Sequence, residues 1–194
     1  MARKKFICGN WKMHRSAAEA GALARELRAS AGPLADRVDV AIFPPFTALW
    51  AAGAELAGSR IGLGAQDVFW ETQGAFTGEV SAPMLLDAGC RFVLAGHSER
   101  RQFFGDTDEA VRKKARAALA AGLHPIVCVG ETLPERESGR TLEVVGRQVR
   151  AGLSGLDAGE MARLTVAYEP VWAIGTGKTA TSAQAQEVHA AIRA

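Results

Sequence analysis

Short runs of β-branched and other apolar residues alternate with longer stretches rich in Ala, Leu and charge, and the alternation repeats six times. Runs of this length bounded by turn residues predict strands at Phe6–Gly9, Val38–Phe43, Ile61–Ala65, Phe92–Ala95, Pro125–Val129 and Thr165–Tyr168. Several of these are apolar on both faces, the pattern of a parallel sheet covered by helices. The intervening stretches carry helix starts. Ser16 with Glu19 and Thr181 with Gln184 match the capping box, in which two side chains reciprocally satisfy backbone donors. Thr47 and Asp106 predict simpler caps. No change of composition interrupts the series, so residues 1–194 read as one α/β domain.

The unusual polar residues fall at one end of these strands. Asn10 and Lys12, Gln66 and Asp67, His97 to Glu99, Glu131 and Glu169 all follow strand C-termini, the working edge of a parallel α/β fold. Alternation alone fits an open doubly wound sheet or a closed barrel. The first βα turn, Cys8-Gly9-Asn10-Trp11-Lys12, lacks the G-x-G-x-x-G of a dinucleotide fold, which favours the barrel. At 194 residues and 48% hydrophobic, the chain can bury a sizeable core. A net charge of +2, with basic residues scattered along helices, makes no footprint for nucleic acid. Cys8, Cys90 and Cys128 form no C-x-x-C pair or zinc spacing and predict reduced thiols in a cytoplasm. Arg3, Lys4 and Lys5 precede an apolar run too short for a signal peptide, and no run is long enough to span a bilayer. A small-molecule substrate is expected.

The most informative stretch is Thr165 to Thr179. A buried-type strand ends on Glu169, and a Pro-started, Gly-ended segment follows at once. Pro170 restricts Glu169 to extended backbone, while Gly175 and Gly177 free the far end. The apolar Val171, Trp172, Ala173 and Ile174 between them predict the inner face of a lid that expels water from a carboxylate base. Gly177-Lys178-Thr179 could end a phosphate-binding P-loop, but that motif needs glycine at position 172, where Trp stands. His97, directly after the fourth strand, is the candidate partner. A base on one side of a pocket and a neutral donor on the other are what proton abstraction beside a carbonyl requires. Lys12 can add positive charge. His14, His124 and His189 lack such company and read as structural.

Four ordered segments together resemble the triosephosphate isomerase family: Gly9-Asn10-Trp11-Lys12-Met13, Gly64-Ala65-Gln66-Asp67, Gly96-His97-Ser98-Glu99-Arg100, and Tyr168 through Gly177. The resemblance runs from Phe6 to the last residue. It implies a (β/α)8 TIM barrel, represented here by its first six βα units and incomplete at the C-terminus. It implies interconversion of dihydroxyacetone phosphate and glyceraldehyde 3-phosphate, in glycolysis and gluconeogenesis, without metal or organic cofactor. The carboxylate base paired with a neutral imidazole is the known arrangement of this family, and the resemblance carries it onto Glu169 and His97. Lys12 would stabilise negative charge, Asn10 place the substrate, Glu99 orient Lys12, and the Gly175 amide grip the phosphate. The lid would be Pro170, Val171, Trp172, Ala173, Ile174, Gly175, Thr176 and Gly177. Gln73 to Glu79 matches the family's protruding third loop, in which Phe76, Thr77, Gly78 and Glu79 would reach a second subunit of a homodimer. Two alternatives stay open: a non-catalytic binding or assembly module, and another phosphosugar isomerase on the same fold.

Overall fold

A computed structural model of the chain describes residues 4–34 and 36–194, so Arg3 of the basic start lies outside the described residues. The elements run β1 (Lys5–Asn10), α1 (Ala17–Ala31), β2 (Val38–Phe43), α2 (Leu49–Leu56), β3 (Gly62–Ala65), α3 (Ala82–Asp87), β4 (Phe92–Ala95), α4 (Ser98–Phe103), α5 (Asp108–Ala121), β5 (His124–Val129), α6 (Leu133–Glu137), α7 (Thr141–Gly152), α8 (Ala158–Met161), β6 (Thr165–Tyr168) and α9 (Ser182–Arg193). All six predicted strands form. β3 starts one residue late because Ser59 Oγ takes the Ile61 N–H at 3.2 Å. β5 starts one residue early because the His124 N–H, beside the donor-less Pro125, reaches the Arg91 carbonyl at 2.9 Å.

The chain forms two compact units. One comprises the described residues of 1–94 with Ala117–Pro125, and the other Ala95–Arg116 with Ile126–Ala194. In the first unit β1, β2, β3 and β4 pair in sequence order and in parallel, with Lys5 opposite Val38, Ala41 opposite Gly62 and Gly64 opposite Phe92. Glycine in β3 is a packing requirement. A Cβ on Gly64 would lie 2.2 Å from the Phe43 ring, and one on Gly62 would lie 2.4 Å from the Phe92 ring. Ala24 of α1 and Leu49, Ala52 and Leu56 of α2 pack with Ile42, Leu63, Leu85 and Val93. Each Leu-sized side chain buried here contributes about 1.5–3 kcal/mol. The Arg25 guanidinium donates twice to Glu55, at 3.0 and 2.6 Å, tying α1 to α2 at the surface.

In the second unit β5 and β6 are parallel, with Ile126 opposite Thr165 and Val129 opposite Tyr168. Their core joins Val127 and Val129 to Val111, Ala115, Val145 and Val188 from three helices. The expectation of apolar cover on both faces holds for β5, which is buried from Pro125 onward. β1 is less covered, with Ile7 55% exposed.

Both predicted capping boxes form. The two simpler caps do not. Thr47 lies inside a 3-10 turn, Phe46–Ala48, and α2 starts after Ala48 without a side-chain cap. At α5 the cap is Thr107, whose Oγ1 accepts the Ala110 N–H at 3.1 Å. Asp106 is instead buried, accepting from Lys114 Nζ at 2.8 Å on both carboxylate oxygens. A buried ammonium eight residues on competes for the carboxylate more strongly than a backbone amide does.

Candidate active site

β4 ends at Ala95, and the following Gly96, whose φ of 72° turns the chain sharply, leads into α4. Arg101 braces that turn. Its Nε donates to the Gly96 carbonyl at 2.9 Å and its Nη2 to the Cys128 carbonyl at 3.2 Å, while Asp108 neutralises it at 2.7 Å. The turn leaves His97 as the N-cap of α4, with Nδ1 accepting the Glu99 N–H at 3.3 Å. The Glu99 carboxylate is also 3.6 Å from Nδ1. The closer amide can only donate, which makes Nδ1 an acceptor in this contact and leaves Nε2 as the nitrogen free to donate.

Nε2 lies 3.2 Å from Glu169 Oε1. The other carboxylate oxygen of Glu169 accepts the Ser98 N–H at 3.0 Å. Sequence separation of 71 residues is thus closed by two polar contacts on one carboxylate. Glu169 is placed by its own backbone, whose N–H donates to the Val129 carbonyl at 2.8 Å, one residue past the β5–β6 pairing.

Pro170 has φ −67°, and Val171–Ala173 forms a single 3-10 turn. Gly175 and Gly177 follow at φ 67° and 77°, in the left-handed region that disfavours a side chain. Both ends of the predicted lid therefore have the backbone expected of them. Trp172 is buried, and its Nε1 donates to Glu131 Oε1 at 2.9 Å. The same oxygen accepts from Tyr168 Oη at 3.0 Å and Thr141 Oγ1 at 3.3 Å, and Arg136 stands 3.6 Å away with its guanidinium 5.5 Å over the Trp172 ring. Burial first, then the Glu131 charge, holds the Tyr168 phenol far above its ordinary pKa, so it remains a donor. Glu131, fully buried, was legible only as one more polar residue after a strand. Its three donors come from two distant stretches of chain, Tyr168 with Trp172 and Thr141, which no local pattern brings together.

In the first unit Asn10 and Lys12 share one turn. Asn10 Oδ1 accepts the Lys12 N–H at 2.9 Å, and Lys12 holds φ 52°, rare for a residue with a side chain. Gln66 stabilises it by donating from Nε2 to the carbonyls of Lys12 and Phe43, both at 2.8 Å. Gln66 is the second residue whose part was not read from sequence. The loop with Phe76, Thr77, Gly78 and Glu79 is exposed from end to end. Phe76 is 43% exposed and leans on Phe69, ring centroids 4.6 Å apart. Among the described residues no group of His, Cys, Asp and Glu has metal-binding geometry, and no helix is long and apolar enough to cross a membrane.

A sequence model of the family described as triosephosphate isomerase matches residues 5–194. The curated triosephosphate isomerase of Moorella thermoacetica is 61% identical over 191 residues, covering 98% of this chain and 76% of the relative. That of Chloroflexus aurantiacus is 57% identical over 192 residues, covering 99% and 76%. That of Pelobacter propionicus is 58% identical over 194 residues, covering 98% and 76%. With a family match over nearly the whole chain and strand-helix units in series, the chain belongs to the triosephosphate isomerase family, and its six βα units are of the (β/α)8 barrel type.

Proposed function

We propose that Glu169 and His97 are the proton-transfer centre of a triosephosphate isomerase, interconverting dihydroxyacetone phosphate and glyceraldehyde 3-phosphate. The observation that carries this reading is the 3.2 Å approach of His97 Nε2 to Glu169 Oε1. Glu169 removes a proton from the substrate carbon beside the carbonyl. The C–H electron pair becomes the C=C bond of an enediolate, and charge moves onto the former carbonyl oxygen. His97 Nε2–H and the Lys12 ammonium stabilise that oxygen; the hydroxyl proton of the carbon that was deprotonated passes to it by way of His97 Nε2, and the proton on Glu169 returns to the former carbonyl carbon, leaving the new carbonyl on its neighbour. Asn10 places the substrate, Glu99 orients Lys12, and the Gly175 amide receives the phosphate as the segment from Pro170 to Gly177 closes. Closure excludes water and protects the enediolate from losing phosphate.

The exposed Phe76 loop supports a homodimer in which Phe76, Thr77, Gly78 and Glu79 enter the second subunit. Cys8, Cys90 and Cys128 stand as thiols and not as disulfides, which suits a cytoplasmic setting. The test is an isomerase assay coupled to a dehydrogenase, with glyceraldehyde 3-phosphate as substrate. Turnover that falls by about 10²-fold or more in Glu169→Asp, a one-methylene retreat of the base, supports the reading. Normal turnover in that variant removes Glu169 from the role.

A further inference from the structure

Helix α7 presents two buried polar residues, Thr141 and Gln148, seven positions and about two turns apart and hence on one face. Thr141 serves Glu131. Gln148, 6% exposed, uses both ends of its amide on a single residue. Its Oε1 accepts the Gly130 N–H at 2.8 Å, and its Nε2 donates to the Gly130 carbonyl at 3.1 Å. Gly130 is the first residue beyond the β5–β6 pairing, and this side chain satisfies both of its backbone polar groups.

Gly130 is also the residue on which the Glu169 backbone rests. A Cβ there would lie 1.7 Å from the Glu169 carbonyl oxygen and 3.4 Å from its Cα. Gly130 therefore has no freedom toward Glu169, and Gln148 holds both of its polar groups. The carboxylate that depends on this seat makes contacts of 3.0 and 3.2 Å, with Ser98 N–H and His97 Nε2. A displacement of Gly130 by a few tenths of an ångström passes directly to these.

We propose that Gln148 is a positioning residue for the reaction: by clamping Gly130 it sets the register of Glu169 against His97. The inference rests on Glu169 being the base, and it concerns a side chain that touches neither substrate nor reacting atoms.

Gln148→Met keeps length and bulk and removes both hydrogen bonds. Its first readout is the Ser98 amide proton resonance, which reports the hydrogen bond to Glu169 without requiring turnover. That resonance should move, while amides in the first unit such as Ala24 stay in place. In the coupled assay kcat should fall about 10- to 100-fold, the cost of a sub-ångström to ångström misplacement, with KM within about twofold. If unaltered protein shows no turnover, the proposed function fails, yet the Ser98 shift still decides the present inference. A variant that only melts earlier, with Ser98 and kcat unchanged, makes Gln148 a plain structural residue and overturns it.

Gln148→Glu guards against a Met variant that does not fold. Protonated, the new carboxyl can both donate and accept as the amide does; ionised, it has no donor for the Gly130 carbonyl. The Ser98 resonance, relative to unaltered protein at each pH, should therefore match at low pH and diverge as pH rises. A difference independent of pH rejects the proposal.

Discussion

With His97 Nδ1 occupied by the Glu99 amide, the only proton a neutral imidazole can offer is on Nε2, which faces Glu169. His97→Ala removes that donor and leaves the α4 cap to solvent. Under the proposed reaction turnover should drop by about 10²- to 10³-fold, since the enediolate oxygen would lose a preorganised donor, and steady-state kinetics will show whether it does. His124 differs in kind. Half-buried against Phe6 and Phe92, with centroids 6.5 and 5.5 Å away, it is held by desolvation below its ordinary value of 6.5. The folded state then resists protonation more than the unfolded chain does. Stability from this residue is complete above about pH 6.5 and is lost as pH falls toward the lower folded-state value. Urea midpoints at pH 7.5 and 5.5 should converge in His124→Phe relative to unaltered protein. Equal acid loss in both would discard this account.

The segment from Pro170 to Gly177 joins a buried anchor to a free tip. Trp172 is tied to Glu131, while Gly175 and Gly177 are exposed and left-handed. Trp172→Phe keeps the ring and removes the donor, so one hydrogen bond to a buried carboxylate is lost, about 1.5–3 kcal/mol. Amide exchange at Ala173 and Ile174 should quicken about tenfold or more, with little change in helices away from Glu131. Unchanged exchange would mean that the anchor lies elsewhere. The contact of Trp172 with Glu131 was not readable from sequence, whereas the backbone at Pro170, Gly175 and Gly177 was. Pro170, Gly175 and Gly177 act through their own φ preferences, but Glu131 acts through Tyr168, Trp172 and Thr141, which only the fold assembles. The Thr47 and Asp106 caps failed for the same cause: a cap residue chooses among partners, and Asp106 chose Lys114.

For the whole protein, the proposed homodimer makes a direct demand. Unaltered protein should elute from a sizing column at twice its 20.5 kDa mass, and Phe76→Asp should shift it toward the single-chain position. Phe76 is exposed at a loop, so the variant should keep its fold by circular dichroism. A dimer untouched by this charge would place the interface away from the third loop.

Residue type and spacing were enough to determine the alternating βα order, all six strands to within a residue or two, both predicted capping boxes and the backbone conformation at Pro170, Gly175 and Gly177. Each of these rests on forces that act within a few residues: apolar periodicity, φ restriction and side-chain capping. The tertiary structure alone decided that His97 Nδ1 takes the Glu99 amide and Nε2 faces Glu169, that Gln66 holds the Lys12 turn, and that Glu131 accepts from Trp172. It alone placed Gln148 on Gly130 and the Glu169 backbone where a Cβ would stand. Those are matters of which distant groups share a few ångströms, and a hydrogen bond or a steric exclusion between residues far apart in sequence leaves no trace in the order of the chain.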